Sequence, residues 1–592
     1  MTITSRNTAF RPRVLAVAIA LGCSAQAQAI TFDLGEVEGQ FDSQLSIGAS
    51  WSVRGADPDF IGVASGGKAS SRTADDGRLN FKKGETFSKI FKGVHDLELK
   101  YRDSGVFVRG KYWYDFETKD ESRLFYDIDD HNRKEASQAS GAEILDAFVY
   151  HNYSLGEQPG SVRVGKQVVS WGESTFIGNS INSINPVDVA ALRRPGAEIK
   201  EGLIPVNMLY LSQSLSDSLS LEAFYQLEWD QTILDNCGTF FSTDVIADGC
   251  DDRMVVAGPD LPPGLSDNSG PASGNNFYLP RGGDRDARDG GQFGLALRWF
   301  AKELNDTEFG LYALNYHSRG PVFSTTRTTA ANPAGLGYVG AAPTAGYFIE
   351  YPEDIRLYGL SFQTTVGSTS LSGEVSHRPN MPLQINTTDL VFGALGLAVS
   401  PVFESGHGQN APGSDLHGYD RRAVTQAQVT AVQFIDRVLG ASRLTLLGEV
   451  GYNHINGIDD DVGELRFGRN AVFGAGQLSS QATCRAFNSA NPDECNDQGF
   501  FTSHSWGYRA RASLEYSNVF AGVSLTPSLA WSHDVAGYGP NFDEGSKAIS
   551  LGLSAAYQNT YNASLSYTDF FGGDYNTVTD RDFVALSFGI NF

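Results

Sequence analysis

Hydrolysis at a side-chain nucleophile needs a serine or cysteine with a base in reach, and the sequence offers little of this. There is no G-x-S-x-G motif, and the 10 histidines are scattered, His533-Asp534 being the one suggestive neighbour pair. A lipase or protease is therefore the weakest of the function classes considered, and no catalytic residue is assigned. Cys23 falls in a leader, leaving Cys237 with Cys250 and Cys484 with Cys495 as two close pairs in polar stretches. Neither pair has the C-x-x-C spacing or neighbouring His pair of a zinc site. Two local loop disulfides in an oxidising compartment are expected instead, with no metal. Asp459-Asp460-Asp461 with Glu464, and Asp127-Ile128-Asp129-Asp130, lack the glycine and spacing of a calcium loop and read as solvated acidic runs. No cofactor is implied.

What remains is charge that alternates with apolar residues. Arg109, Lys111, Arg298, Arg509 and Arg511 fall on the polar side of stretches whose other side is apolar, and so do Glu222, Glu228, Glu374, Arg378, Glu449 and Glu515. On a lipid-facing strand surface a basic residue costs about 2–4 kcal/mol near the midplane. These side chains are thus predicted to face an aqueous lumen, where both signs together could set up a transverse field. A second group, Trp171, Glu173, Arg193 and Arg194, sits in the third long connection, about 171–204. If that connection folds into the lumen, these residues are candidates for a constriction. A loop packed on its neighbours outside the pore is the alternative.

The elements that would position these groups are strands. The last eleven residues set Val584, Leu586, Phe588, Ile590 and Phe592 on one face, with Ala585, Ser587, Gly589 and Asn591 on the other. This is the period-two pattern of a strand between lipid and lumen. The same alternation recurs from about Gln44 onward, in hairpins whose tight turns (Asp103–Gly105, Gly367-Ser368) alternate with long connections (231–290, 319–354, 379–421, 454–504). The expected fold is all-β: one closed antiparallel transmembrane barrel of about 18 strands, 16 being the other count considered, spanning residues 30–592. A barrel this wide leaves an aqueous channel. Trp51, Trp229, Trp299, Trp531, Tyr557 and Phe592 are expected in an interfacial aromatic girdle. Lys166 would face lipid unless Gly165 opens a bulge.

The N-terminus agrees with export. Arg6, Arg11 and Arg13, the apolar Val14–Gly22 and Ala27-Gln28-Ala29 have the form of a signal peptide covering 1–29. Its removal takes the net charge from -24 to -27, which argues against nucleic acid as a partner.

Lys166-Gln167-Val168-Val169-Ser170-Trp171-Gly172-Glu173 with Asn185-Pro186-Val187-Asp188 resembles a proteobacterial family of outer-membrane barrels catalogued as a domain of unknown function. Asp76-Gly77-Arg78-Leu79-Asn80-Phe81 adds to the match. So, more weakly, do Asp235-Asn236-Cys237-Gly238, Tyr351-Pro352-Glu353-Asp354 and Asp580-Arg581-Asp582-Phe583. The resemblance spans nearly the whole mature chain. It implies an outer-membrane barrel in a Gram-negative bacterium, with no agreed substrate and no assigned binding residues. The terminal Phe592 resembles the signal read by the outer-membrane assembly machinery. The expected function is a porin-like channel for small or hydrophobic solutes, with outer-membrane lipid around it. A surface adhesin is the alternative; periplasmic transport partners and association into homotrimers stay open.

Overall fold

The computed structural model describes residues 30–592, except 252, 258–276, 334–337, 409–410, 459–463, 479, 488–490 and 492–493. The expected leader and the Asp459–Asp461 run lie outside the described residues. Eighteen strands form one closed sheet. They are β1 (Val37–Ser52), β2 (Thr86–Tyr101), β3 (Ser104–Asp115), β4 (Ser140–Leu155), β5 (Gln158–Gln167), β6 (Val206–Ser216), β7 (Leu219–Gln226), β8 (Phe293–Ala301) and β9 (Thr307–Tyr316). Then come β10 (Ile355–Val366), β11 (Thr369–Gln384), β12 (Tyr419–Asp436), β13 (Arg443–Ile455), β14 (His504–Phe520), β15 (Val523–Ala536), β16 (Lys547–Tyr557), β17 (Tyr561–Phe571) and β18 (Phe583–Asn591). Every strand pairs antiparallel with its chain neighbours, and β18 closes on β1 from Gln44↔Asn591 to Ser52↔Phe583. Closure leaves no exposed edge, and alternation places Ile47, Val106, Leu311, Leu360, Leu551 and Leu565 on the exposed outer surface.

Turns and long connections alternate strictly, so all the tight turns lie at one end of the barrel. The two-residue turn 367–368 needs a left-handed residue, which Gly367 supplies at φ +64°. At the other end the long connections pack into a cap. Val322–Thr326, Gly346–Glu350 and Asp415–Leu416 form a small sheet there. The helix Thr387–Ala394 buries Leu390 and Val391 in the same core, with Phe323, Tyr347 and Val402. Cys237 and Cys250 lie at bonding distance in this cap (Sγ–Sγ 2.26 Å), as do Cys484 and Cys495 (2.04 Å).

Three local expectations are overturned, and an alternative left open at Gly165 is decided. The first strand begins at Val37, not near Gln44, and an extra strand, Ile30–Leu34, pairs with its first residues where β18 has already ended. Pairing of β7 stops at Gln226, so Trp229 leaves the girdle; it is buried in the cap, its Nε1 donating to the Ser318 carbonyl (3.1 Å) and its ring against Tyr351. Glu228, just past the same break, accepts from the Asn207 side chain and backbone at the outer rim instead of lining the lumen. Gly165 stays in continuous register with both neighbours. The bulge is across the hairpin, where Leu145 and Asp146 of β4 oppose the single Arg109 of β3. Lys166 keeps its outward position, and its ammonium donates to the Ile144 carbonyl at 3.1 Å.

Candidate functional site

The third long connection, 168–205, is rooted between β5 and β6 and held along the inner wall. Its two ends are clamped by Asn185, whose Oδ1 accepts from Val169 N (3.0 Å) while its Nδ2 donates to the Gln167 and Ile204 carbonyls. Asp188 caps the short helix Val189–Arg193 by accepting from Ala191 N (2.8 Å) and also takes the Lys111 ammonium at 2.8 Å. Glu201, in the helix Ile199–Gly202, pairs with Lys92 of β2. Gly196 has φ +70°, and a Cβ there would come within 2.9 Å of Ser587 on β18, so the connection approaches that strand this closely only because it carries no side chain here.

Two lumen carboxylates receive the backbone of this segment. Glu449 of β13 is 1 % exposed and accepts from the amides of Thr175 (2.9 Å), Phe176 (2.6 Å) and Ile177 (2.8 Å). Glu374 of β11 accepts from Glu173 N and from Ile181 N (3.3 Å). Arg378, also on β11, donates to the Asn179 and Ser180 carbonyls at 2.6 Å. An ionised carboxylate facing three N–H groups binds main chain the way an anion sits in a backbone nest.

The predicted site residues divide by partner. Trp171 is 1 % exposed: it packs with Phe224, Tyr312 and Met208 of the wall and Ile181 of its own connection, its Nε1 donating to Glu222 (2.7 Å). It anchors the connection and presents no surface to the channel. Arg193 pairs with Asp235 and lies over Phe241, and Arg194 donates to the Ala136 and Gln138 carbonyls over Trp113. Both thus turn toward neighbouring connections. Arg109 is bidentate to Asp96 (2.7 Å to each oxygen) and reaches Asp146 at 3.3 Å. Lys111 is buried between Asp188 and Glu143. Arg298 contacts Glu222 (3.2 Å), Glu308 (2.9 Å) and Glu173 (4.0 Å). Arg509 pairs with Asp534 at 2.7 Å. Arg511 is exposed and makes no hydrogen bond or ion pair among the described residues. The carboxyl of Glu173, in the connection and outside the spanning strands, is pushed up to about 7 by burial; Arg298 opposes the shift and Glu374 adds to it.

Along β14–β18 the inner face is small and hydroxylated. One ring of cross-strand partners runs Thr526↔Ser554↔Ser564↔Ser587↔Gly48. This is the part of the wall that Arg511 projects from. His533 and Asp534 are adjacent on β15 and so point to opposite faces, Asp534 inward to Arg509; they do not form a base with its orienting acid.

Sequence reasoning did not see how three of the separated motifs meet at the cap. Arg78 is bidentate to Asp580 (Nε–Oδ2 2.8 Å, Nη2–Oδ1 3.0 Å), and Asn80 donates to the Gly238 carbonyl (2.9 Å). Beside them Asp75, Asp76 and Asp244 are fully buried, each offering an oxygen within 4.8 Å of the others. Such oxygens suit a hard divalent cation. Cationic groups already face them: Arg253 Nη1 lies 3.1 Å from Asp76, whose oxygen also accepts from Tyr126 OH (2.7 Å). Ser242 Oγ and Gly238 N donate to Asp244. Burial and the neighbouring Asp76 push Asp75 up to about 7. The arrangement is a buried polar knot that ties the first, second, fourth and ninth connections together.

The chain matches the profile of a family described as "Protein of unknown function (DUF1302)" over residues 10–592. It belongs to that family. The expectation of a barrel family without an assigned function thus holds for this DUF1302 chain. No curated protein sequence matches it. Solved structures that resemble it include the Acinetobacter baumannii channel OccAB1 (11 % identity, 96 % of this chain and 99 % of that one, TM-score 0.40). Pseudomonas aeruginosa OpdK with vanillate (10 %, 93 % and 98 %, TM-score 0.38) and Salmonella typhi OmpF in complex with daunomycin (10 %, 95 % and 100 %, TM-score 0.33) are two more. Likenesses this distant say nothing of solute or site.

Proposed function

We propose that the protein is an outer-membrane channel for small or hydrophobic solutes, with its tight turns in the periplasm, its cap outside the cell, and the third connection as the constriction. The observation that carries this reading is the bonding of segment 173–181 to Glu374 and Glu449 on the inner wall. A connection held that way narrows an eighteen-strand lumen without filling it. The solute path runs between the connection and the hydroxylated face of β14–β17, past Arg511. Phe592, whose backbone exchanges hydrogen bonds with Ser43 (2.9 and 2.7 Å), closes the seam of the finished barrel and serves as the assembly signal before that.

Glu173 makes the reading testable by pH. Its carboxyl titrates near 7, so it is ionised above that pH and neutral below. Reversal potentials in planar bilayers should show cation preference falling as pH drops from 8 to 6, and Glu173→Gln should flatten that dependence at the low-pH value. A silent protein, or a profile identical in the variant, counts against the channel and against this placement of Glu173 respectively.

A further inference from the structure

The cap holds a half-open chamber of about 520 Å³, built from the first, fourth, fifth, sixth and seventh connections. Its walls are chiefly apolar: Val245, Met254, Phe323, Val391 and Leu395 line it, each less than one-tenth exposed. The side chains around so large an opening have no packing partners on that side. Chambers of this size and lining are what small-molecule sites look like. One polar feature gives the chamber a direction. Arg469 lines it, 6 % exposed, and its guanidinium is fastened by both terminal nitrogens to the carbonyls of Phe473, Glu494, Asn496 and Gln498. Its Nε is buried without a hydrogen-bond partner. A guanidinium held at the wall of an apolar chamber favours an anionic group on a molecule that is otherwise apolar.

We infer that the chamber binds a single-chain amphiphile with a carboxylate head, the head toward Arg469 and the chain among Val391, Leu395 and Met254. The inference goes beyond the channel reading, because a chamber in the cap can bind whether or not solute passes below it.

The test uses the full-length protein in nanodiscs, with cis-parinaric acid as fluorescent probe and dodecanoate and dodecanol as competitors. Saturable binding at one site per chain is expected, displaced by dodecanoate more than by dodecanol. Val391→Trp, which fills the chamber, should weaken it at least about tenfold, equivalent to about 1.4 kcal/mol. Arg469→Gln should erase the preference for the carboxylate. Should Val391→Trp fail to fold, competition on the unmodified protein still decides. Probe signal that does not saturate, or that dodecanoate and dodecanol displace equally, overturns the inference, as does unchanged affinity in folded Val391→Trp. Ion conductance of the same preparation is read separately: its absence refutes the channel and leaves the chamber standing.

Discussion

Glu449→Ala is expected to raise single-channel conductance and to make the current noisier. The carboxylate accepts three amide N–H bonds from Thr175, Phe176 and Ile177, and a fourth bond from Thr430 Oγ1 at 3.0 Å. Hydrogen bonds to a charged group contribute on the order of 1.5–3 kcal/mol each, and the orphaned amides would add their own desolvation penalty. No other side chain among the described residues is bonded to those three amides, so segment 173–181 should detach from β13 and depend on its remaining bonds to Glu374, Arg378, Ser376, Gln426 and Asn541. The strands do not depend on Glu449: its backbone pairs with Thr430 and Arg509 regardless of the side chain. Unchanged conductance in a correctly assembled variant would mean that the segment does not bound the path.

Lys111→Met is expected to loosen the root of the same connection by about 3–5 kcal/mol, the usual penalty for removing one member of a buried ion pair. Lys111 is 4 % exposed, and the Asp188 it leaves behind is fully buried. Among the described residues, the Asp188 side chain would keep only its bond from Ala191 N. Hydrogen exchange of residues 188–204 in the assembled barrel measures the effect, with amides there opening far more often than in the parent. Adding Asp188→Asn should restore part of the protection, because the neutral amide is no longer an uncompensated charge. Equal exchange in parent and Lys111→Met would refute the pairing.

The strands were legible because a lipid-facing barrel writes itself in period two: Leu45, Ile47 and Ala49 against Ser46, Gly48 and Ser50 need no tertiary information. The parity fails where one residue is inserted. At Leu145-Asp146 the inward set changes from Glu143 to Asp146, and only the pairing with Arg109 reveals it. Trp229 was misplaced for a related reason. Its alternation continues past Gln226, but the ladder ends there and the cap core, through Tyr351 and the Ser318 carbonyl, claims the ring. For the site, residue type said which groups are charged and inward, not which are already matched. Arg193 and Arg194 look like pore arginines in sequence and are held by Asp235 and by the Ala136 and Gln138 carbonyls. Glu374 and Glu449 look like ordinary lumen charges and prove to hold the connection. That Arg78 meets Asp580, some five hundred residues away, has no local signature at all.

The most direct test of the proposed path is a current measured before and after a bulky, water-soluble thiol reagent reaches a single new cysteine. Ser554→Cys places that thiol on the inner face of β16, two strands along the same ring from Ser587, which the third connection touches; Leu553→Cys places it one residue away on the outer face. The account predicts that modification cuts the current through Ser554→Cys and leaves Leu553→Cys unaffected. Full current through a completely modified Ser554→Cys channel would contradict it.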